Sequence, residues 1–141
     1  MFSKFSRDTY SYEKGISTEN VLDVLGHAGL QVEWWDNNTG DKGIAARFKT
    51  RRFTDLNNPE FCSTGECMDG VFIAPLKDYI ASITQDTVLV LHQMGSHGPT
   101  YYQRYSADFE RFKPACRSAE FKKCTPQEIT NAYDNTIAYT D

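Results

Sequence analysis

No stretch of the 141 residues approaches the roughly 20 consecutive apolar residues that a helix needs to cross a bilayer, so no membrane span is expected within the chain. The opening Met-Phe-Ser-Lys-Phe-Ser-Arg lacks the apolar core of a secretory signal. Basic excess is lacking as well. Fifteen Lys and Arg stand against 19 Asp and Glu, for a formal net charge of −4, and the two signs are interspersed. Nucleic acid, which demands a concentrated basic footprint, is therefore not an expected partner.

What is present is a hydrophobic content of 40% with 13% aromatics, enough for one moderate core and the size of one domain, residues 1–141. The four cysteines fall as two local pairs in polar surroundings, Cys62 with Cys67 and Cys116 with Cys124. Three connectivities are possible, and proximity favours the local one. A zinc site is the competing reading, but Cys-x4-Cys and Cys-x7-Cys are not common structural zinc spacings. Disulfides imply an oxidising compartment, and export without a targeting segment suggests the interior of a longer sequence.

The most informative stretch runs from Thr87 to Tyr102. Val88, Leu89, Val90 and Leu91 show neither helical period nor alternation, which predicts a parallel strand covered on both faces. The run stops in Gly95-Ser96-His97-Gly98-Pro99, a loop at the carboxyl end of the strand, where open α/β sheets bind ligands. His97 is the side chain this loop presents, suited to a metal or a phosphate, although glycine-bounded histidines are also ordinary solvated turn residues. His92 is expected to be packed and hydrogen-bonded rather than a ligand.

Before this stretch, Met1 to Gly15 has no period and reads as irregular. A helix is expected from a Ser17 or Thr18 cap, with Val21, Leu22, Val24, Leu25 and Ala28 at helical spacing, until Gly29 ends it. Gln31 to Trp35 reads as a strand. Its following loop, Asp36 to Gly43, is the second candidate site: Asn38 offers amide donors and Lys42 a point charge for a phosphate oxygen, in a composition that ordinary turns also use.

Arg47 to Cys67 reads as a long loop, at most partly helical, with Lys49, Arg51 and Arg52 as a small basic cluster on a solvated face. From Asp69, the residues Phe72, Ile73, Leu76, Tyr79, Ile80 and Ile83 predict a core-facing helix with a late start or a bend at Pro75. Tyr101 to Lys123 reads as a loop packing its aromatics on the domain. Thr125-Pro-Gln-Glu128 then predicts a capped helix, with Ile129, Ala132, Tyr133, Thr136, Ile137 and Thr140 as one stripe.

Together, the segments ENVLDVLGHAGLQVEWWDNNTGDKG, GSHGPTYYQRY and PACRSAEFKKCTPQEITNAYDNTIAYTD resemble the periplasmic catalytic domain of lipid A phosphoethanolamine transferases, the mobile colistin-resistance enzymes among them, within the alkaline phosphatase and sulfatase-like superfamily. The resemblance implies an α/β fold, part of an α/β/α sandwich, at the periplasmic face of the bacterial inner membrane. It implies transfer of phosphoethanolamine from phosphatidylethanolamine to a lipid A phosphate through a phosphothreonine at zinc. Asn38 and Lys42 match residues lining the phosphoethanolamine pocket, and His97 matches a histidine that contacts the substrate phosphate or a second zinc. Disulfides Cys62–Cys67 and Cys116–Cys124 are implied in the same way.

The family's nucleophilic threonine, its acidic zinc ligand and its Asp-His zinc pair have no counterpart in these residues. Thr18, Thr87 and Thr100 stand in the wrong contexts for the nucleophile. The expectation is a central segment of the catalytic domain that carries substrate-pocket residues, binds no zinc tightly and is inactive alone. The alternatives are a related transferase or hydrolase with another acceptor, and a non-catalytic module that binds phospholipid head groups.

Overall fold

The computed structural model describes residues 2–141, which divide into two compact units. One comprises residues 2–56 and 74–92 and the other residues 57–73 and 93–141.

The first unit is built on a parallel three-stranded sheet. Strand β1 (Gln31–Asp36) lies between β2 (Lys49–Arg52) and β5 (Thr87–His92), and both pairings are parallel. Fold class α/β is as expected. β5 itself is only half-buried along its length, because it stands at the edge of the described sheet rather than between two neighbours. The doubly covered strand is β1, in which Val32 through Asp36 are all buried.

Alternation sends the two tryptophans of β1 to opposite faces. Trp34 packs with Leu22, Val32 and Ala45, joined by Val88 and Val90 of β5. Trp35 meets Phe53 and Tyr79 with ring centroids 5.0 and 5.2 Å away. Each such large side chain withdrawn from water contributes about 1.5–3 kcal/mol.

Two short helices precede the sheet. Ser11 caps α1 (Tyr12–Ser17), a single turn or so within the segment expected to be irregular. The cap of α2 (Val21–His27) is Asn20, not Ser17 or Thr18. Its side-chain oxygen accepts the Leu22 N–H at 2.8 Å, and the Asp23 carboxylate accepts the Asn20 N–H at 2.7 Å. Gly29, at φ +94°, ends the helix as expected. Asp23 is buried and also receives a two-pronged contact from Arg47, whose hydrogen bonds hold the carboxyl below its ordinary range against the opposing effect of burial.

Two further expectations fail. The Arg47 to Cys67 stretch contains β2 as well as a short hairpin, β3 (Cys62–Ser63) with β4 (Glu66–Cys67), so it is not simply a loop. Helix α3 (Ile73–Ser82) does start late, with Pro75 in its first turn, after a 3-10 turn over Asp69–Phe72. None of its residues is fully buried, however, and Ile73 and Ile80 remain 57% and 59% exposed; Tyr79 is the residue that reaches Trp35.

The second unit is loop-rich and organised on α4 (Pro126–Thr140). The Thr125 hydroxyl accepts the Glu128 N–H while the Glu128 carboxylate accepts the Thr125 N–H, completing the expected capping box. The buried stripe differs from expectation: Asn131, Ala132, Asn135 and Thr136 face inward, while Tyr133 and Ile137 stay substantially exposed. The reason is polar. Asn135 accepts the N–H groups of both Arg111 and Phe112 at 2.9 Å and donates to the Phe112 carbonyl at 3.0 Å. Asn131 donates to the Pro114 carbonyl at 2.8 Å.

Both disulfides, Cys62–Cys67 and Cys116–Cys124, are present. The aromatics of the 101–123 loop pack as expected, with Tyr101 stacked on Phe121 and edge-on to Tyr133, and Phe109 edge-on to Tyr139. Gly70 has no room for a side chain, since a Cβ there would lie 2.6 Å from the Phe61 ring and 2.7 Å from the Tyr139 hydroxyl.

Candidate functional site

Parallel pairing brings the carboxyl ends of β1 and β5 side by side, with Asp36 in register with His92. Asp36 is 2% exposed, and its carboxylate has work on both oxygens. Oδ1 lies 2.6 Å from His92 Nδ1, and Oδ2 accepts the Gly40 N–H at 3.1 Å. The His92 ring also packs on Trp34 at 5.2 Å, so this histidine is the packed, hydrogen-bonded residue that was expected. Asn37 extends the ladder by donating its N–H to the His92 carbonyl at 2.9 Å.

The 36–43 loop is fixed from within. Asn38 accepts the Thr39 N–H at 2.7 Å, and Asp41 accepts the Ala45 N–H at 2.7 Å. Lys42 adopts φ +53°, a conformation that non-glycine residues seldom take, and its amine folds back onto the Thr39 carbonyl at 3.1 Å. Gly43, at φ +80°, lets the loop pass against Ile16, whose Cγ2 would sit 2.4 Å from a Cβ. Asn38 is thus half-buried and Lys42 exposed on one small turn. An ammonium has three donors and one is used here, so Lys42 keeps donors for an anion.

His97 belongs to the second unit. The loop carrying it is pinned at its start by Asp69, which accepts the N–H groups of Met94 and Gly95 at 2.9 and 2.7 Å. At its far side, Arg104 donates to the His97 carbonyl at 3.1 Å, the Thr100 hydroxyl at 2.8 Å and the Glu66 carboxylate at 2.7 Å. Arg104 is only 4% exposed. Its planar fork suits three acceptors in different directions, which a lysine could not serve together.

The His97 side chain is exposed, with Nδ1 2.8 Å from the Gly98 carbonyl. Because a carbonyl only accepts, Nδ1 is the donor in this contact, and a metal or phosphate would have to be met through Nε2, the metal by the neutral ring. A phosphate contact through Nε2 would need the ring protonated. Among the described residues, no group of three or more His, Cys, Asp or Glu side chains is arranged to hold a metal ion, so the donor set for a complete zinc site is not supplied here.

The structure therefore adds three supporting residues to the sequence-derived set: Asp36, Asp69 and Arg104. Asp36 carried a signal, a carboxylate closing a buried strand. Asp69 and Arg104 did not, since their partners lie far along the chain.

The family model described as Sulfatase matches residues 1–141. The chain belongs to the sulfatase family. Among sulfatase-family relatives, it is 44% identical over 141 residues to phosphoethanolamine transferase EptA of Escherichia coli (strain K12), covering all of this chain and 26% of that protein. It is 38% identical over 148 aligned residues to phosphatidylethanolamine transferase Mcr-1 of Escherichia coli, again over the whole of this chain and 27% of the relative. The soluble domain of lipooligosaccharide phosphoethanolamine transferase A from Neisseria meningitidis matches in structure with a TM-score of 0.92 and 40% identity, over 99% of this chain and 42% of that one. The chain spans about a quarter of the length of these curated relatives.

Proposed function

We propose that this chain forms part of the catalytic domain of a phosphoethanolamine transferase that moves the group from phosphatidylethanolamine to a lipid A phosphate at the periplasmic face of the inner membrane. The observation that carries the reading is identity of 44% to a phosphoethanolamine transferase sustained across all 141 residues. Zinc in such an enzyme would activate a threonine and stabilise charge on the transferred phosphoryl group. The residues here do not make up that centre, and the 141 residues alone are expected to be inactive.

In this reading Asn38 and Lys42 bind the phosphoethanolamine group. Lys42 offsets phosphate charge and Asn38 orients it, while the left-handed backbone at Lys42 fixes the direction in which the side chain leaves the turn. His97 contacts the substrate phosphate or a second zinc through Nε2. The test is transfer by a longer protein containing this chain, read by mass spectrometry of lipid A. Lys42→Ala or His97→Ala should lower product formation by roughly a hundredfold. Undiminished transfer by both variants would remove these loops from the site.

A further inference from the structure

Asp36 and His92 end neighbouring parallel strands in register, just before the turn that carries Asn38 and Lys42. The backbone there is held from both sides. The Asp36 carbonyl accepts the Phe53 N–H at 2.8 Å, and the His92 carbonyl accepts the Asn37 N–H at 2.9 Å. The Asp36 carboxylate therefore leaves the chain from a fixed point.

Its two oxygens serve different elements. Oδ1 meets His92 Nδ1 at 2.6 Å, while Oδ2 accepts the N–H of Gly40, which lies midway between Asn38 and Lys42. The bonds from the Thr39 N–H to Asn38 and from the Lys42 ammonium to the Thr39 carbonyl close within the turn itself. The Gly40 contact ties the turn to the strand end, and His92 fixes the carboxylate that makes this contact.

Packing alone does not call for such a pair. The His92 ring meets Trp34 at 5.2 Å, a contact that phenylalanine would also make. Asp36 is 2% exposed, and the desolvation of a buried pair offsets most of its attraction, so the gain in stability is small. What the pair supplies is geometry. Without the imidazole, a buried carboxylate loses a partner and turns toward other donors or water, which loosens its hold on Gly40.

Resting on the transfer reading above, in which Asn38 and Lys42 meet the phosphate, we propose that His92 is a positioning residue of that site. Through Nδ1 and the Asp36 carboxylate it sets where the 38–42 turn stands, and so where the Lys42 ammonium and the Asn38 amide reach the phosphate oxygens. His92 acts through Asp36 and not on the substrate.

The test uses a longer transferase containing this chain, with initial rates of lipid A modification read by mass spectrometry over a range of phosphatidylethanolamine and Tm recorded for each variant. His92→Phe keeps a ring against Trp34 and removes the donor, and should lower kcat/KM roughly 10- to 100-fold. His92→Asn places an amide N–H close to where Nδ1 stood and should return kcat/KM to within about fivefold of the unmodified protein. His92→Gln, whose amide reaches toward the Nε2 position instead, should not. On a Lys42→Ala background, His92→Phe should cost less than about fivefold more, because the group it positions is gone.

Unchanged kcat/KM in His92→Phe, no recovery by His92→Asn, or full additivity with Lys42→Ala overturns the proposal. Recovery by His92→Gln and not by His92→Asn also overturns it, and gives Nε2 a direct part. If His92→Phe does not fold, the Asn and Gln variants decide the question between them. The two readings fail separately: a Lys42→Ala defect without a His92 defect removes only the His92 assignment, whereas undiminished transfer by Lys42→Ala removes the phosphate role of the turn and the His92 assignment with it.

Discussion

Replacing Arg104 with methionine keeps most of the buried volume while removing all three donors, so the variant isolates what the guanidinium does. The Glu66 contact contributes least, because that carboxylate is 39% exposed and regains water when the arginine is lost. The His97 carbonyl and the Thr100 hydroxyl each lose a hydrogen bond worth about 1 kcal/mol, with some further cost where solvent cannot replace it. The sum is about 2–3 kcal/mol. For a chain of this size that corresponds to a fall in Tm of roughly 5–10 °C. Urea unfolding gives the free energy, and hydrogen exchange of amides 94 to 98 tests whether the His97 loop loosens with it. Arg104→Lys should recover no more than about 1 kcal/mol, since one ammonium cannot span the three acceptors. A loss under about 1 kcal/mol with loop exchange unchanged would refute the claim that Arg104 holds the loop.

Asn135→Ala should cost at least about 3 kcal/mol, because two backbone N–H groups and one carbonyl lose their buried partner; a loss no larger than that of Tyr133→Ala, at a position 41% exposed, would contradict the polar-stripe account of α4. For Asp23, the hydrogen bonds from Arg47 depress the folded carboxyl. Its contribution is therefore present above the ordinary aspartate range near about pH 4 and is lost as pH falls through the lowered folded value. Acid titration of stability should show this loss in the wild type and a flatter curve in Asp23→Asn, and parallel curves would rule the ion pair out as the cause.

How much of this was legible depends on what kind of residue carries each element. Val88 to Leu91, the buried strand β1, the Thr125 capping box and the glycine-marked loops all announce themselves through apolar runs, cap spacing or turn chemistry. Strand β2 does not, because Lys49-Thr-Arg-Arg52 is fully exposed and has no hydrophobic pattern to read. The Asn131 and Asn135 ladder is invisible to apolar periodicity for a related reason: those asparagines are buried by their hydrogen bonds to the 111–114 backbone. Asn20 is a cap that the sequence does signal, since Asp23 stands three residues on, the spacing of a capping box, but Ser17 and Thr18 nearby compete for the role. For the proposed site, Asn38, Lys42 and His97 are candidates that the sequence offers by chemistry and position. The residues that hold their loops could not be read from it, since Asp69 acts 25 residues from Met94 and Arg104 acts 38 residues from Glu66.

The Cys62–Cys67 bridge links two residues directly opposite each other in the β3–β4 hairpin, and the next pair inward is Ser63 with Glu66. Glu66 is one of the three groups that accept from Arg104, and Arg104 holds the His97 carbonyl. A disulfide some thirty residues upstream thus fixes the hairpin that carries one of the three partners of Arg104. Thiol reductants added during purification, or synthesis in a reducing cytosol, would release the hairpin and with it the weakest of the three Arg104 contacts, while Asp69, Thr100 and the His97 carbonyl keep theirs.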